Sequence, residues 1–106
     1  MSKYFLVESR SPFDSGEVNN NCELAKDLAE AGHETTLFLV ENAVFAARKA
    51  IAHTPIANLD GVKVLVDGFS LRERGIGEEE IISTVTTADI DCLVEAMAEG
   101  QKTLWL

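Results

Sequence analysis

The chain has 106 residues, 46% of them hydrophobic and 25% charged, a composition that fits one folded domain and excludes a disordered chain. A total of 9 basic against 18 acidic side chains gives a formal net charge of −9, which disfavours direct binding to nucleic acid and to anionic membranes. Two cysteines are too few for a disulfide framework, and no apolar stretch approaches the ~20 residues that span a bilayer, so we expect a cytoplasmic protein.

Apolar segments typical of buried strands alternate with helical patterns along the chain. Strands are predicted at residues 4–7, 35–40, 62–66 and 103–106, and residues 81–85 fit a short strand, although the three glutamates at 78–80 before them could equally start a helix. Helices are predicted from residue 14 to about 31, from 42 to about 52 and from 89 to 99. Residues 53–59 are predicted to form a loop or a short helical turn, and residues 67–77 a loop with one helical turn.

The sequence also predicts where the first helix begins and ends, and which faces of the first and last helices are buried. Asp14 is expected to cap the first helix in a capping box with Glu17, and Gly32 is expected to end it. The buried stripe of the first helix is predicted to contain Val18, Cys22, Ala25 and Ala29. The buried stripe of the last helix is predicted to contain Ile90, Leu93, Val94 and Met97.

The alternation of strands and helices predicts right-handed βαβ units. We therefore expect an α/β fold in which residues 1–106 form a single three-layer α/β/α domain, with a mostly parallel sheet of about five strands and helices on both faces. Ligands of such sheets bind beyond the carboxyl ends of the strands. That rule selects three loops for any chemistry, at residues 8–15, 41–44 and 67–75.

The loop after the third predicted strand carries the most chemistry. It brings a carboxylate, a hydroxyl and two guanidinium groups to one strand end: Asp67, Ser70, Arg72 and Arg74. Arginines beside exposed backbone amides can hold an anion or a developing negative charge. The same residues equally fit a structural role, in which Asp67 and Ser70 cap the turn and both arginines lie in solvent.

Two other roles for Asp67 are conceivable from its place at a strand end. It could accept a phosphoryl group as in receiver domains, with Glu8 as a second acid, but Lys102 begins the last strand and so lies at the wrong end of the sheet. It could also act as a general base in an enzyme, which would require a buried carboxylate with a raised pKa.

Metal, dinucleotide and hydrolase sites have little support in the residue pattern. His33 and His53 have neither a partner at i, i+4 nor a nearby Cys-x-x-Cys, so no metal site is predicted. Residues 75–77 form a Gly-x-Gly without the third glycine, and Ser70 has no Gly-x-Ser-x-Gly context. No cofactor is therefore predicted.

Several short segments occur in a fixed order along nearly the whole chain. They are an opening apolar strand, Ser-Pro-Phe at residues 11–13, Ala-Gly-His-Glu at 31–34, Glu-Asn-Ala-Val at 41–44, Arg-Gly-Ile at 74–76 and Ala-Asp at 88–89. In this order and spacing the chain resembles the DsrE/DsrF-like family, the small sulfur-relay proteins that share a fold with YchN-type proteins. Each motif is loose by itself, and the resemblance depends on their combination.

The resemblance implies a subunit of a trimer or hexamer. Active members of the family carry a persulfide on a cysteine after the third strand and pass that sulfur to a partner, in a relay serving tRNA thiolation or sulfur oxidation. Counting back from Arg74 and Gly75 puts Asp67 at the place of that cysteine, and an aspartate cannot carry a persulfide. The resemblance therefore implies a non-catalytic or divergent subunit without a catalytic residue, in a homo-oligomer or in a hetero-oligomer with a cysteine-bearing homologue.

Two alternatives stay open. Cys22 is expected to be an inert core residue, whereas Cys92, on the flank of the last helix, could carry sulfur in place of position 67. The chain could instead be a small-ligand or anion-binding domain with a pocket at a subunit boundary. That pocket would be formed by Arg10, Asn42, Asp67, Ser70, Arg72 and Arg74.

Overall fold

Five strands form one sheet in the part of the chain that the computed structural model describes, residues 1–51 and 55–106. They are β1 (Lys3–Glu8), β2 (Glu34–Leu39), β3 (Val62–Asp67), β4 (Thr86–Ala88) and β5 (Lys102–Trp105). Every neighbouring pair is parallel, and the order across the sheet is β4-β3-β2-β1-β5. β4 and β5 therefore form the two edges.

Helical segments connect the strands. The α-helices among the described residues are α1 (Glu17–Glu30), α2 (Gly68–Glu73) and α3 (Asp91–Ala98), and short 3₁₀ segments cover Glu41–Ala47, Lys49–Ile51, Pro55–Asn58 and Glu78–Glu80. The predicted stop at Gly32 is confirmed, because this residue adopts a left-handed φ of 91° and the N–H groups of Gly32 and His33 donate to the last turn of α1. Over residues 1–51 and 55–106, no helix combines the length and apolar character needed to cross a bilayer.

The strand order decides which face each connection covers. The first three connections step across the sheet in one direction, whereas the connection from β4 to β5 returns to the far side of β1. Because crossovers between parallel strands are right-handed, α1, the 3₁₀ segments and α2 cover one face, and α3 covers the other. The predicted three-layer α/β/α architecture with a five-stranded parallel sheet is therefore confirmed.

Alternating strand residues supply two separate cores. Leu6, Leu37 and Val64 lie in register on neighbouring strands and pack against α1 and the 3₁₀ segments. On the opposite face, Phe38 is fully buried and lies in register with Leu65, beneath α3. Both faces of the three inner strands are therefore buried, which explains their nearly continuous apolar sequences.

The predicted capping box at the start of the first helix is wrong. Residues 11–15 form a separate turn, in which the Asp14 N–H donates to a backbone carbonyl. The helix begins at Glu17 with Gly16 at its N-cap and without a side-chain cap. The Glu17 side chain pairs with Arg10 at 2.9 Å instead of reaching back to a cap.

The helix predicted at residues 42–52 is also wrong. The chain forms the 3₁₀ segments Glu41–Ala47 and Lys49–Ile51 there, and residue 52 lies outside the described residues. Between the two segments the backbone of Arg48 is extended, with φ −73° and ψ 140°. A continuous α-helix is excluded because Arg48 forms an antiparallel bridge to Ile81.

The fourth strand lies later in the sequence than predicted. Ile82, within the segment predicted at residues 81–85, donates its N–H to the Ala47 carbonyl at 2.8 Å and not to the sheet. Ile81 and Val85 are buried in the core between the sheet and the 3₁₀ segments. The strand that pairs with β3 is β4, which contains the polar residues that the apolar pattern did not select.

The predicted buried face of the last helix is wrong. Three of its members are exposed: Ile90 by 48%, Val94 by 59% and Met97 by 61%. Of the predicted stripe only Leu93 contacts the core, and the fully buried residue of α3 is Ala96. Periodicity identifies an apolar stripe on a helix but not the side that meets the sheet, and here the small Ala96 belongs to the core between α3 and the strands.

The buried Phe38 gives a direct test of the core beneath α3. Replacing it by alanine (Phe38→Ala) should lower the free energy of unfolding by about 3–5 kcal/mol, because the large aromatic side chain leaves a cavity. Phe13, which is 59% exposed, is the matched control, and Phe13→Ala should change stability by at most about 0.5 kcal/mol. Urea denaturation followed by circular dichroism measures both, and equal losses would contradict the assigned core.

Candidate functional site

A cavity of about 600 Å³ opens at the carboxyl end of the sheet, between the ends of β2, β3 and β5 and the segment before α3. Of the residues predicted to form a site, Asp67, Ser70 and Arg74 line it. This is the edge at which parallel α/β sheets bind their ligands.

Asp67 ends β3 and caps α2. Its Oδ2 accepts hydrogen bonds from the Ser70 N–H at 3.1 Å and from the Ser70 hydroxyl at 2.7 Å, an arrangement typical of a helix N-cap. Gly68 follows, and a Cβ there would lie 3.2 Å from the Thr87 side chain, so a small residue lets β4 approach closely. The segment predicted to be a loop with one helical turn therefore begins with a helix directly after the strand.

Ser70 links the ends of β2 and β3. Its Oγ accepts a hydrogen bond from the Glu41 backbone N–H at 2.8 Å, which leaves the hydroxyl hydrogen for Asp67. Glu41 has a left-handed backbone with φ 50°, a conformation that costs a non-glycine residue on the order of 1–3 kcal/mol. The hydrogen bond to Ser70 holds this strained turn in place.

The second carboxylate oxygen of Asp67 has no hydrogen-bond partner within residues 1–51 and 55–106. Asp67 is only 6% exposed, and its Oδ1 makes no hydrogen bond to any of the described residues. An unmatched buried acceptor costs roughly 1–3 kcal/mol, and such atoms are rare in folded proteins. Because Asp67 lines the cavity, a group bound there could donate to this oxygen.

Arg74 is held at the rim of the cavity by its neighbours. Its Nε and Nη2 donate to Asn42 Oδ1 at 3.1 and 2.9 Å, and its Nη1 donates to the Ser70 carbonyl at 3.2 Å. The guanidinium also lies 5.9 Å from the Phe45 ring centroid. Asn42 thus reaches the site through Arg74, and the hydrogen-bonding capacity of Arg74 is largely used within the chain.

The structure does not bring Arg10 and Arg72 to the cavity. Arg10 lies after β1 and forms an exposed ion pair with Glu17 at 2.9 Å. Arg72 is exposed in the last turn of α2 and is not part of the cavity lining. Of the three arginines considered for an anion pocket, only Arg74 lines the cavity.

Glu8 is a buried carboxylate at the end of β1 with all its hydrogen bonds inside the chain. Its Oε2 accepts from the next two backbone N–H groups at 2.9 and 3.1 Å, and its Oε1 accepts from the Asn21 side chain at 2.8 Å. Lys102 lies at the start of β5, with its Nζ 5.4 Å from the Tyr4 ring centroid. The acid, acceptor and lysine of a receiver site are therefore not brought together.

Several cavity residues were missed by the sequence analysis. Asp89, Ile90 and Trp105 lie outside the selected loops, whereas Glu41, Phe69 and Glu73 lie within the loops at residues 41–44 and 67–75 but were not among the predicted site residues. The strand-end rule would have selected Asp89 and Ile90 if the fourth strand had been placed correctly, since they follow β4 directly. Trp105 ends β5 and could have been found by the same rule.

The histidines do not contribute to a metal centre in the described part of the chain. The His33 Nδ1 accepts a hydrogen bond from the Ser2 N–H at 3.0 Å, and its ring lies edge-on to Tyr4. His53 lies outside the described residues. Over residues 1–51 and 55–106, no group of three His, Cys, Asp or Glu side chains is placed to hold a metal ion.

Comparison with known protein families identifies the family of this chain. The model of the DsrE/DsrF-like family matches residues 2–106. The chain belongs to the DsrE/DsrF-like family. No curated protein is significantly similar to it in sequence.

Solved structures of other proteins share the fold of this DsrE/DsrF-like chain. The YchN protein of E. coli is 22% identical, with a TM-score of 0.83 and coverage of 100% of both chains. MTH1491 of Methanobacterium thermoautotrophicum, a protein of unknown function, is 13% identical, with a TM-score of 0.81 over 99% of this chain and 98% of that chain. BT1422 of Bacteroides thetaiotaomicron is 18% identical, with a TM-score of 0.80 over 99% and 95%. At these identities the structures show the fold alone.

Neither cysteine of this DsrE/DsrF-like chain lines the cavity. Cys22 lies on the buried face of α1, and burial, reinforced by the carboxylates of Glu8 and Glu23, raises its pKa to about 11. Cys92 is partly buried on α3, and burial followed by the charge of Asp89 raises its pKa as well. Because the thiolate is the nucleophile, both thiols are weak nucleophiles at neutral pH.

The raised pKa of Cys22 predicts slow alkylation in the folded protein. With its pKa at about 11 instead of 9.0, the thiolate fraction at pH 8 is about 100-fold lower, and it should rise about tenfold per pH unit up to about pH 10. Iodoacetamide labelling of a Cys92→Ser variant, followed by mass spectrometry across this pH range, isolates Cys22. The same variant unfolded in urea is the control, and equal rates in both states would contradict the assignment.

Proposed function

We propose that this DsrE/DsrF-like protein is a sulfur-relay subunit of the cytoplasm that does not itself carry sulfur. The observation that supports the proposal is the identity of the residue at the end of β3. The family resemblance puts the sulfur-carrying cysteine there, and this chain has Asp67. The two free cysteines are compatible with a reducing compartment.

Sulfur transfer requires a group that Asp67 lacks. A carrier thiolate attacks the outer sulfur of a donor persulfide, a new S–S bond forms on the carrier, and the donor leaves as a thiolate that takes up a proton. A carboxylate cannot form the S–S bond. Cys22 and Cys92 do not replace it well, because the raised pKa of each thiol keeps it protonated at neutral pH.

We also propose that the subunit assembles with further copies of itself into a trimer or hexamer, as the family resemblance implies. The support is a set of exposed apolar side chains on α3 and on the same side of β5, here called the α3–β5 surface, which consists of Ile90, Val94, Met97 and Trp105. Large apolar side chains exposed on one side of a domain are typical of subunit contacts. A hetero-oligomer with a cysteine-bearing homologue would use the same surface.

The absence of a carrier thiol predicts that the protein does not accumulate persulfide. After incubation with glutathione persulfide, intact-mass spectrometry should show no sulfur added to Cys22 or Cys92, because both thiols are largely protonated. A matched pair of variants tests position 67. Asp67→Cys should gain sulfur at residue 67, whereas Asp67→Ser, of nearly the same size, should not. A persulfide on either native cysteine at the level of Asp67→Cys would contradict the proposal.

Light scattering coupled to gel filtration tests the assembly. At micromolar concentration the protein should have the mass of a trimer or hexamer, and Val94→Lys should dissociate it, because a lysine that is tolerated on an exposed monomer surface is unfavourable in an apolar contact. Leu24→Lys, at a partly exposed apolar position on α1, is the control and should leave the assembly intact. A monomeric native protein would contradict self-assembly.

A further inference from the structure

We infer that the cavity at Asp67 binds a small organic cation, whose ammonium or amidinium group donates to Asp67 Oδ1 while its apolar part lies against Trp105 and Phe69. This inference goes beyond the proposed sulfur-relay role, since it concerns a ligand of the cavity and not the transfer of sulfur. Either proposal can fail without the other.

The hydrogen-bond pattern at Asp67 leaves one acceptor for a ligand. Oδ2 receives both the N–H and the hydroxyl of Ser70. The Ser70 hydroxyl donates to Oδ2, and its Oγ accepts from the Glu41 N–H, so this side chain already has both a donor and an acceptor partner within the chain. Oδ1 is therefore buried and unpartnered among the described residues, although it belongs to a residue that lines the cavity. A donor from outside the chain would satisfy it.

The charges around the cavity select a cation. Glu41, Glu73 and Asp89 also line it, all three are exposed, and none forms an ion pair within the described residues. Arg74 is the only basic side chain among the described lining residues, and its guanidinium is bound to Asn42. An anion would be repelled by this set of carboxylates, whereas a cation would be attracted.

The walls of the cavity favour an organic cation over a metal ion. Phe69 and Trp105 are each 59% exposed, and Ile90 is 48% exposed, which gives an apolar and aromatic surface beside the buried carboxylate. Aromatic faces attract organic cations. Calcium and magnesium ions require several converging oxygens, and residues 1–51 and 55–106 place no group of three candidate ligands together. The volume of about 600 Å³ is that of a small-molecule site.

Phenethylamine, a primary ammonium with a phenyl ring, is a suitable probe. Trp105 is the only tryptophan of the chain and lines the cavity, so its fluorescence reports binding directly. Phenylacetate, an anion with the same ring, is the matched comparison. We expect a saturable fluorescence change with phenethylamine and an affinity at least about tenfold higher than that of phenylacetate.

Asp67→Asn tests the acceptor itself. Asparagine caps helices as well as aspartate, so α2 should be retained, while the charge is lost and an amide can face the ligand. Phenethylamine affinity should fall at least about tenfold. Glu73→Gln, an exposed change that does not endanger folding, should weaken binding several-fold, and Asp60→Asn, exposed in the turn before β3, should leave it unchanged.

Three outcomes would overturn the inference. They are a fluorescence titration without saturation by phenethylamine, an affinity for phenylacetate equal to or above that for phenethylamine, and native affinity of Asp67→Asn together with Glu73→Gln. The persulfide measurement has no bearing on any of them, so failure of this inference is distinguishable from failure of the proposed function.

Discussion

The Asp67 carboxylate connects three segments of the chain through one of its oxygens. Oδ2 joins the end of β3 to the first turn of α2, and the Ser70 hydroxyl extends this connection to the strained backbone of Glu41 after β2. These hydrogen bonds stabilise the lining of the cavity, because they join the end of β3, the first turn of α2 and the turn after β2. A thiol at position 67 would be a weaker acceptor and would hold the same turns less firmly.

In the proposed sulfur-relay subunit, Asp67 stands in place of a carrier thiol and stabilises the turns around the cavity through its hydrogen bonds. The remaining thiols lie at places where burial and neighbouring carboxylates keep them protonated. The acidic side chains around the cavity also disfavour a thiolate there, and the same negative charge disfavours anionic ligands.

The connection from β4 back to β5 determines which residues line the β5 side of the cavity. It places α3 on the face of the sheet opposite the other helical segments of the described residues and brings Trp105 to the cavity. Ile90 and Trp105 belong both to the cavity and to the α3–β5 surface. In the proposed assembly, subunit contacts and ligand binding would therefore share residues, and each would change the environment of the other.

The parallel α/β architecture could be predicted from the amino-acid sequence, since the buried strands β1, β2 and β3 have apolar runs that local pattern identifies. It also selected Asp67, Ser70 and Arg74, because polar residues after a buried strand must lie at the carboxyl edge of the sheet. The packing of the elements was needed to show that Ile90, Val94 and Met97 face outward, that Arg10 lies away from the cavity and that the cavity is acidic. These features depend on which sides of distant elements meet, and periodicity within one element contains no information about that contact.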